Sequence, residues 1–177
     1  MYPAPLRSFL MYLALSGEFR PRWTDMIHDE WIRNLLKNRS DLSRNQLEAV
    51  RDLMNKHAPG SVVTGFENLI DSIELPDSND RHVVAAAIQT RAEAIITFNL
   101  KDFPSSALAQ YGIAALHPDE FISNLIDLNA GAVIEAARRQ RLSLKKPPFT
   151  AAEYLDLLQK QKLPRSVSKL RQFEVMI

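Results

Sequence analysis

Leu6, Phe9, Leu10, Leu13 and Ala14 recur three and four residues apart, the period of one helical face. Residues 5–16 therefore predict a helix that buries that face. Pro3 and Pro5 stand where a first turn tolerates proline, and Gly17 ends the run. A second stripe of Met26, Ile27, Trp31, Ile32 and Leu35 predicts a helix to about residue 37, capped by Thr24. A third helix spans 43–57, with Leu47, Val50, Leu53 and Met54 inward and Pro59-Gly60 as its stop.

Between and beyond these lie short β-like runs at 19–23, 61–64, 94–97 and 113–116; Pro21 weakens the first. The run Ala94-Ile95-Ile96-Thr97, bounded by polar residues, has the form of a buried parallel strand. Residues 66–75 are ambiguous and admit a helical turn. Asp77-Ser78-Asn79-Asp80 looks like a helix start, continued by Val83, Val84, Ala87 and Ile88. A short helix over 106–111 is broken by Gly112. Helices alternating with short apolar strands argue for an α/β fold. After His117 the strand pattern stops. Pro118-Asp119-Glu120 opens a helix carrying Phe121, Leu125 and Leu128; a second helical stretch covers 130–142, and Thr150-Ala151-Ala152-Glu153 is a capping box for a third. Residues 1–118 are thus expected to form an α/β domain and 119–177 a helical extension.

Composition narrows the function classes. Apolar residues make up 46% of 177 and charged residues 24%, a globular balance. No apolar run is long enough for a membrane span, and the N-terminus lacks a convincing signal-peptide cleavage site. Zero cysteines exclude disulfides, thiolate metal sites and cysteine nucleophiles, and suit a reducing cytoplasm. The net charge of +1 is unevenly spread: residues 1–118 hold 12 Lys and Arg against 14 Asp and Glu, residues 119–177 hold 10 against 7. The acidic segment 67–80 carries five carboxylates and no Lys or Arg. The four histidines show no metal-ligand spacing, and no phosphate-cradling glycine loop or nucleophile elbow occurs.

Three carboxylates stand out by placement. Glu30 lies at the edge of an apolar stripe, Asp80 at a helix start, and Asp102 in the loop after a parallel strand, where open α/β sheets bind ligands. Thr97 and Asn99 add short polar groups to that loop. Each alone also reads as ordinary surface or capping polarity. Together they converge on one sheet edge, where mutual repulsion calls for a cation. Mg²⁺ or Mn²⁺ suits oxygen ligands, and phosphodiester hydrolysis is the chemistry such an ion serves.

Four segments carry a resemblance to the PIN-domain ribonuclease family, in particular to VapC-like toxins of bacterial type II toxin–antitoxin pairs: Tyr2-Pro3-Ala4-Pro5-Leu6-Arg7, Asp29-Glu30-Trp31-Ile32-Arg33-Asn34-Leu35, Asp80-Arg81-His82-Val83-Val84-Ala85-Ala86-Ala87 and Thr97-Phe98-Asn99-Leu100-Lys101-Asp102-Phe103. His117-Pro118-Asp119-Glu120-Phe121 extends it, and the tail resembles the helical C-terminal region of a longer VapC-like subset. The resemblance implies a three-layer PIN-like fold, a short parallel sheet flanked by helices. It implies metal-binding and catalytic roles for Glu30, Asp80 and Asp102, polar support from Thr97 and Asn99, and Asp77 as an auxiliary acid. It implies Mg²⁺ or Mn²⁺, an RNA substrate, a cognate antitoxin and a homodimer. Arg138, Arg139, Arg141, Lys145 and Lys146 are candidates for RNA phosphate contacts, or a plain solvated basic face.

One departure shapes the expectation. In the family a first strand ending in a ligand aspartate precedes the Tyr-Pro segment, and here both are expected to be missing. A start misplaced downstream, a degenerate protein and a partner strand added by β-addition each account for it; the retained acids favour the first. The readings that stay open are a metal-dependent endoribonuclease, a DNA nuclease of the same chemistry, and a catalytically impaired module that binds antitoxin or RNA.

Overall fold

A computed structural model describes residues 3–177, so Tyr2 of the Tyr-Pro opening lies outside the described residues. In chain order the elements are α1 (Ala4–Leu15), α2 (Asp25–Asn38), α3 (Arg44–His57), α4 (Arg81–Gln89), β1 (Ala94–Ile96), α5 (Ser105–Leu108), β2 (Ala114–Leu116), α6 (Pro118–Ser143), α7 (Ala151–Gln159) and α8 (Pro164–Leu170). Short 3₁₀ turns at Glu67–Ser72, Ser78–Asp80, Leu100–Asp102, Ala109–Tyr111 and Arg171–Met176 join them. The chain folds as two units: Pro21–Leu116, and the segment up to Arg20 together with His117–Ile177.

In the unit Pro21–Leu116, β1 and β2 pair in parallel, with Ala94 opposite Ala114 and Ile96 opposite Leu116. The Thr97 N–H donates to the Leu116 carbonyl at 2.9 Å and carries the ladder one residue further. This is the α/β arrangement expected, with the sheet confined to two strands among the described residues. Two of the other β-like runs meet in a single parallel bridge, Trp23 with Val62. Pro21 supplies no N–H, so the run at 19–23 cannot extend that ladder. The core beneath the strands gathers Val63, Phe66, Ile73, Val84, the three alanines 85–87, Ile95, Phe103, Leu108 and Ile113. Alanines on α4 let the helix approach β1 closely. Gly112 follows the last turn before β2 at φ 67°, a left-handed conformation that favours glycine.

Helices α2 and α3 bury a smaller cluster around Trp31, Ile32 and Leu47. The Thr24 side chain accepts from the Ile27 N–H at 3.0 Å, and Ser43 with Gln46 forms a capping box. Met26 and Leu53, expected inward, are exposed. Each sits at the margin of a stripe whose centre already fills the contact.

The other unit is all helical. Leu6, Phe9 and Leu13 of α1 are fully buried, each worth about 2 kcal/mol of apolar burial. Val133, Ala137, Tyr154, Leu158, Leu163 and Leu170 are buried in the same unit. The two helical stretches expected after residue 118 form the continuous element α6, with a break at Asn129, whose φ of −153° and ψ of 77° are not helical. Leu128, next to that break, is 81% exposed rather than inward. The Thr150–Glu153 capping box opens α7 as read from sequence. Helix α8 was not anticipated. Its N-terminal N–H groups at Arg165 and Ser166 donate to the buried Asp119 carboxylate at 3.0 and 2.8 Å, so the cap comes from 46 residues away. Among the described residues no helix is long and apolar enough to cross a membrane.

Candidate metal centre

Proline and aspartate set the first wall of the site. After Pro76 the Asp77 side chain accepts from the Asn79 N–H and from Asn79 Nδ2, both at 2.9 Å, and holds the turn Ser78–Asp80. That turn delivers Asp80 to the position preceding α4, one step before the helical first turn expected for it. Its carboxylate makes no capping bond there.

The second wall follows β1. Thr97 Oγ1 accepts from the Asn99 N–H at 3.0 Å, and Asn99 Nδ2 donates to Asp102 Oδ2. Thr97 thus fixes Asn99, and Asn99 fixes the Asp102 carboxylate. One oxygen from each of Asp77, Asp80 and Asp102 lies within 4.8 Å of the others. All three residues are half-buried. Among the described residues no hydrogen bond engages the second oxygen of Asp77 or Asp102, nor either oxygen of Asp80.

Glu30 comes from α2. Its Oε2 lies 3.8 Å from Nε2 of the buried His82, and its side chain is 43% exposed. The His82 contact holds the Glu30 carboxyl below its ordinary range, against an opposing push from burial. Burial pushes Asp80 up, and the negative charges of Glu30, Asp77 and Asp102 push it further. Glu30 is therefore near enough to act on Asp80, but it stands outside the tight group of three. Sequence reading placed Glu30 in the ligand set and Asp77 beside it; in space Asp77 joins Asp80 and Asp102, and Glu30 is adjacent. The signal for Asp77 was its place three residues before Asp80, the spacing of one tight turn.

This donor set fits a hard divalent cation: half-buried carboxylates, several oxygens with no hydrogen-bond partner, and negative charges of Glu30, Asp77 and Asp102 crowding Asp80. A model of the PIN domain matches residues 2–101, a stretch that includes Glu30, Asp77 and Asp80. The chain belongs to the PIN-domain family. A second family model, the VapC50 C-terminal domain, matches residues 118–172. A Mycobacterium tuberculosis protein named Putative ribonuclease VapC50 is 40% identical over 118 residues, covering 64% of this chain and 69% of that protein. No solved structure matches.

In this PIN-domain protein the basic residues picked out from the tail lie on and after α6. Arg138 pairs with Glu135 at 3.4 Å, and the Arg139 guanidinium sits 5.8 Å from the centre of the Tyr12 ring. Arg141 donates to the carbonyls of Phe149 and Ile177, both at 2.8 Å, and so ties the chain end to α6. Lys145 and Lys146 are exposed in the turn after α6. Two histidines have structural partners. His28 Nδ1 accepts from Trp31 Nε1 at 2.9 Å, and its Nε2 meets Asn55 Oδ1 at 3.2 Å. His117 Nδ1 accepts from the Asp119 N–H at the start of α6.

Proposed function

We propose that this chain is a metal-dependent endoribonuclease, the toxin component of a type II toxin–antitoxin pair. The observation that carries the reading is the convergence of Asp77, Asp80 and Asp102, with Glu30 beside them, in a PIN-domain chain. The name of the mycobacterial relative supports RNA as the substrate. Asp80, Asp102 and Asp77 would hold Mg²⁺ or Mn²⁺, with Glu30 completing the acidic rim. Such an ion would supply the Lewis acidity that activates a water and offsets charge on a phosphate.

The chain's own residues prepare that chemistry. Asn99 occupies one oxygen of Asp102, which would leave the other to hold an ion. Asp77 shapes the turn with one oxygen, which leaves its second for coordination. Thr97 orders the loop between β1 and Asp102. The basic residues Arg138, Arg139, Arg141, Lys145 and Lys146 supply sequence-independent phosphate contacts, with Arg141 the least free to do so. A cognate antitoxin restrains the enzyme in the cytoplasm, and the active form is a homodimer.

The test is cleavage of end-labelled RNA by purified protein with Mg²⁺, with EDTA, and with DNA of the same sequence. Asp80→Asn and Asp102→Asn should each lower the Mg²⁺-dependent rate at least 100-fold. Unchanged cleavage in both variants overturns the assignment, and cleavage of DNA alone replaces the substrate.

A further inference from the structure

His82 lies in the first turn of α4, two residues after Asp80, and is 6% exposed. Its Nδ1 is buried and finds no hydrogen-bond partner among the described residues. Its Nε2 faces Glu30 Oε2 at 3.8 Å. That separation exceeds a direct hydrogen bond, so the contact is electrostatic in this conformation and closes with a small rotation. A buried ring with one orphaned nitrogen is a poor structural choice, because leucine fills similar space with no polar atom to desolvate. Val84 and the alanines 85–87 of α4 are buried as well. The Glu30 contact gives the buried imidazole a polar role that leucine could not fill.

We propose that His82 is a positioning residue: its Nε2 holds the Glu30 carboxylate at the rim of the Asp77–Asp80–Asp102 group. This rests on the metal-centre reading above. Glu30 is anchored on a different helix from the three aspartates, and its side chain has rotatable bonds that solvent would otherwise randomise. His82 links α2 to α4 where that freedom would cost coordination. Partners of this outer kind typically govern 10- to 100-fold in metal affinity. Nε2–H is the tautomer that serves the contact, since it leaves only a lone pair on the orphaned Nδ1.

The experiment is Mn²⁺ titration by calorimetry of the full chain, comparing wild type with His82→Leu, His82→Gln and Asp80→Asn, alongside metal-free melting curves. Glutamine can present its amide nitrogen where Nε2 stands. His82→Leu should melt at or above wild type without metal, yet bind Mn²⁺ at least tenfold more weakly. His82→Gln should return within about threefold of wild type. Equal Mn²⁺ affinity in His82→Leu overturns the proposal. So does a glutamine variant no better than leucine, or a leucine variant that melts well below wild type. If wild type shows no Mn²⁺ binding that Asp80→Asn removes, the metal-centre reading fails by itself. The positioning geometry is then decided by ¹⁵N histidine spectra of the metal-free protein. A fixed Nε2–H tautomer that shifts on Glu30→Gln upholds it, and an Nδ1–H tautomer overturns it.

Discussion

Asp80→Asn should stabilise the metal-free protein while it disables the site. Asp80 shares its surroundings with Asp77 and Asp102, with oxygens within 4.8 Å. Two unit charges at that separation repel by about 0.9 kcal/mol even at the dielectric of water. Relief from both neighbours is about 1.5 kcal/mol at low salt, before Glu30 is counted. Against it stands the favourable effect of a negative charge at the start of α4, about 0.5 kcal/mol. No capping hydrogen bond is lost, because Asp80 makes none. The net gain is about 1 kcal/mol, or roughly 2–4 °C for a chain of this size.

Both tryptophans, Trp23 and Trp31, belong to the unit that carries the site, so their fluorescence reports its unfolding. In EDTA at low ionic strength Asp80→Asn should melt higher than wild type, and the difference should shrink by about half in physiological salt. Adding Mn²⁺ should reverse the order, since only wild type gains by binding. The pH dependence has a fixed sign. The folded Asp80 carboxyl is raised above its unfolded value, so the folded state binds more protons. Wild type then gains stability as pH falls through the raised folded value, and the gain is complete below the unfolded value near 3.8. The asparagine variant lacks that gain. If it melts below wild type in low-salt EDTA, the charge-repulsion account of this site is refuted.

Asp119→Ala should cost about 3 kcal/mol, since it strips a buried carboxylate from two backbone N–H groups of α8 and from the Ser166 hydroxyl. Far-UV circular dichroism during urea unfolding checks it, and a loss under 1 kcal/mol would contradict the buried cap. His28 is held below its ordinary value, chiefly by burial. The unfolded state therefore takes up the proton first, and stability should fall as pH drops from about 6.5 toward the folded value. The slope for one proton is at most about 1.4 kcal/mol per pH unit. Tryptophan-monitored urea midpoints between pH 7.5 and 5.0, taken in the Asp80→Asn background where the opposite trend is absent, should decline. A flat profile would show that His28 does not titrate with folding.

What could be read from the chain depended on how local its cause was. The Thr24 cap, the Ser43 and Thr150 capping boxes and the buried face of α1 follow from residues within one or two turns, and sequence alone locates them. Helix α8 was missed because its cap, Asp119, is contributed across 46 residues by α6. Read locally, Asp119 is merely an acid in a helical first turn. The candidate metal centre divides along the same line. Asp80 and Asp102 announce themselves by their places at a helix start and a strand end. The three-residue spacing ties Asp77 to Asp80 through one turn, but where Glu30 stands is a question of distance between elements that no spacing answers. His82 is the extreme case. Its neighbours in sequence mark it as one more buried position on α4, and its contact with a carboxylate on α2 exists only after folding. Its orphaned Nδ1 is the trace that this choice left in the core. A buried polar atom without a partner, beside a carboxylate from another helix, is a conflict with packing of the kind expected at a site rather than in a fold's core.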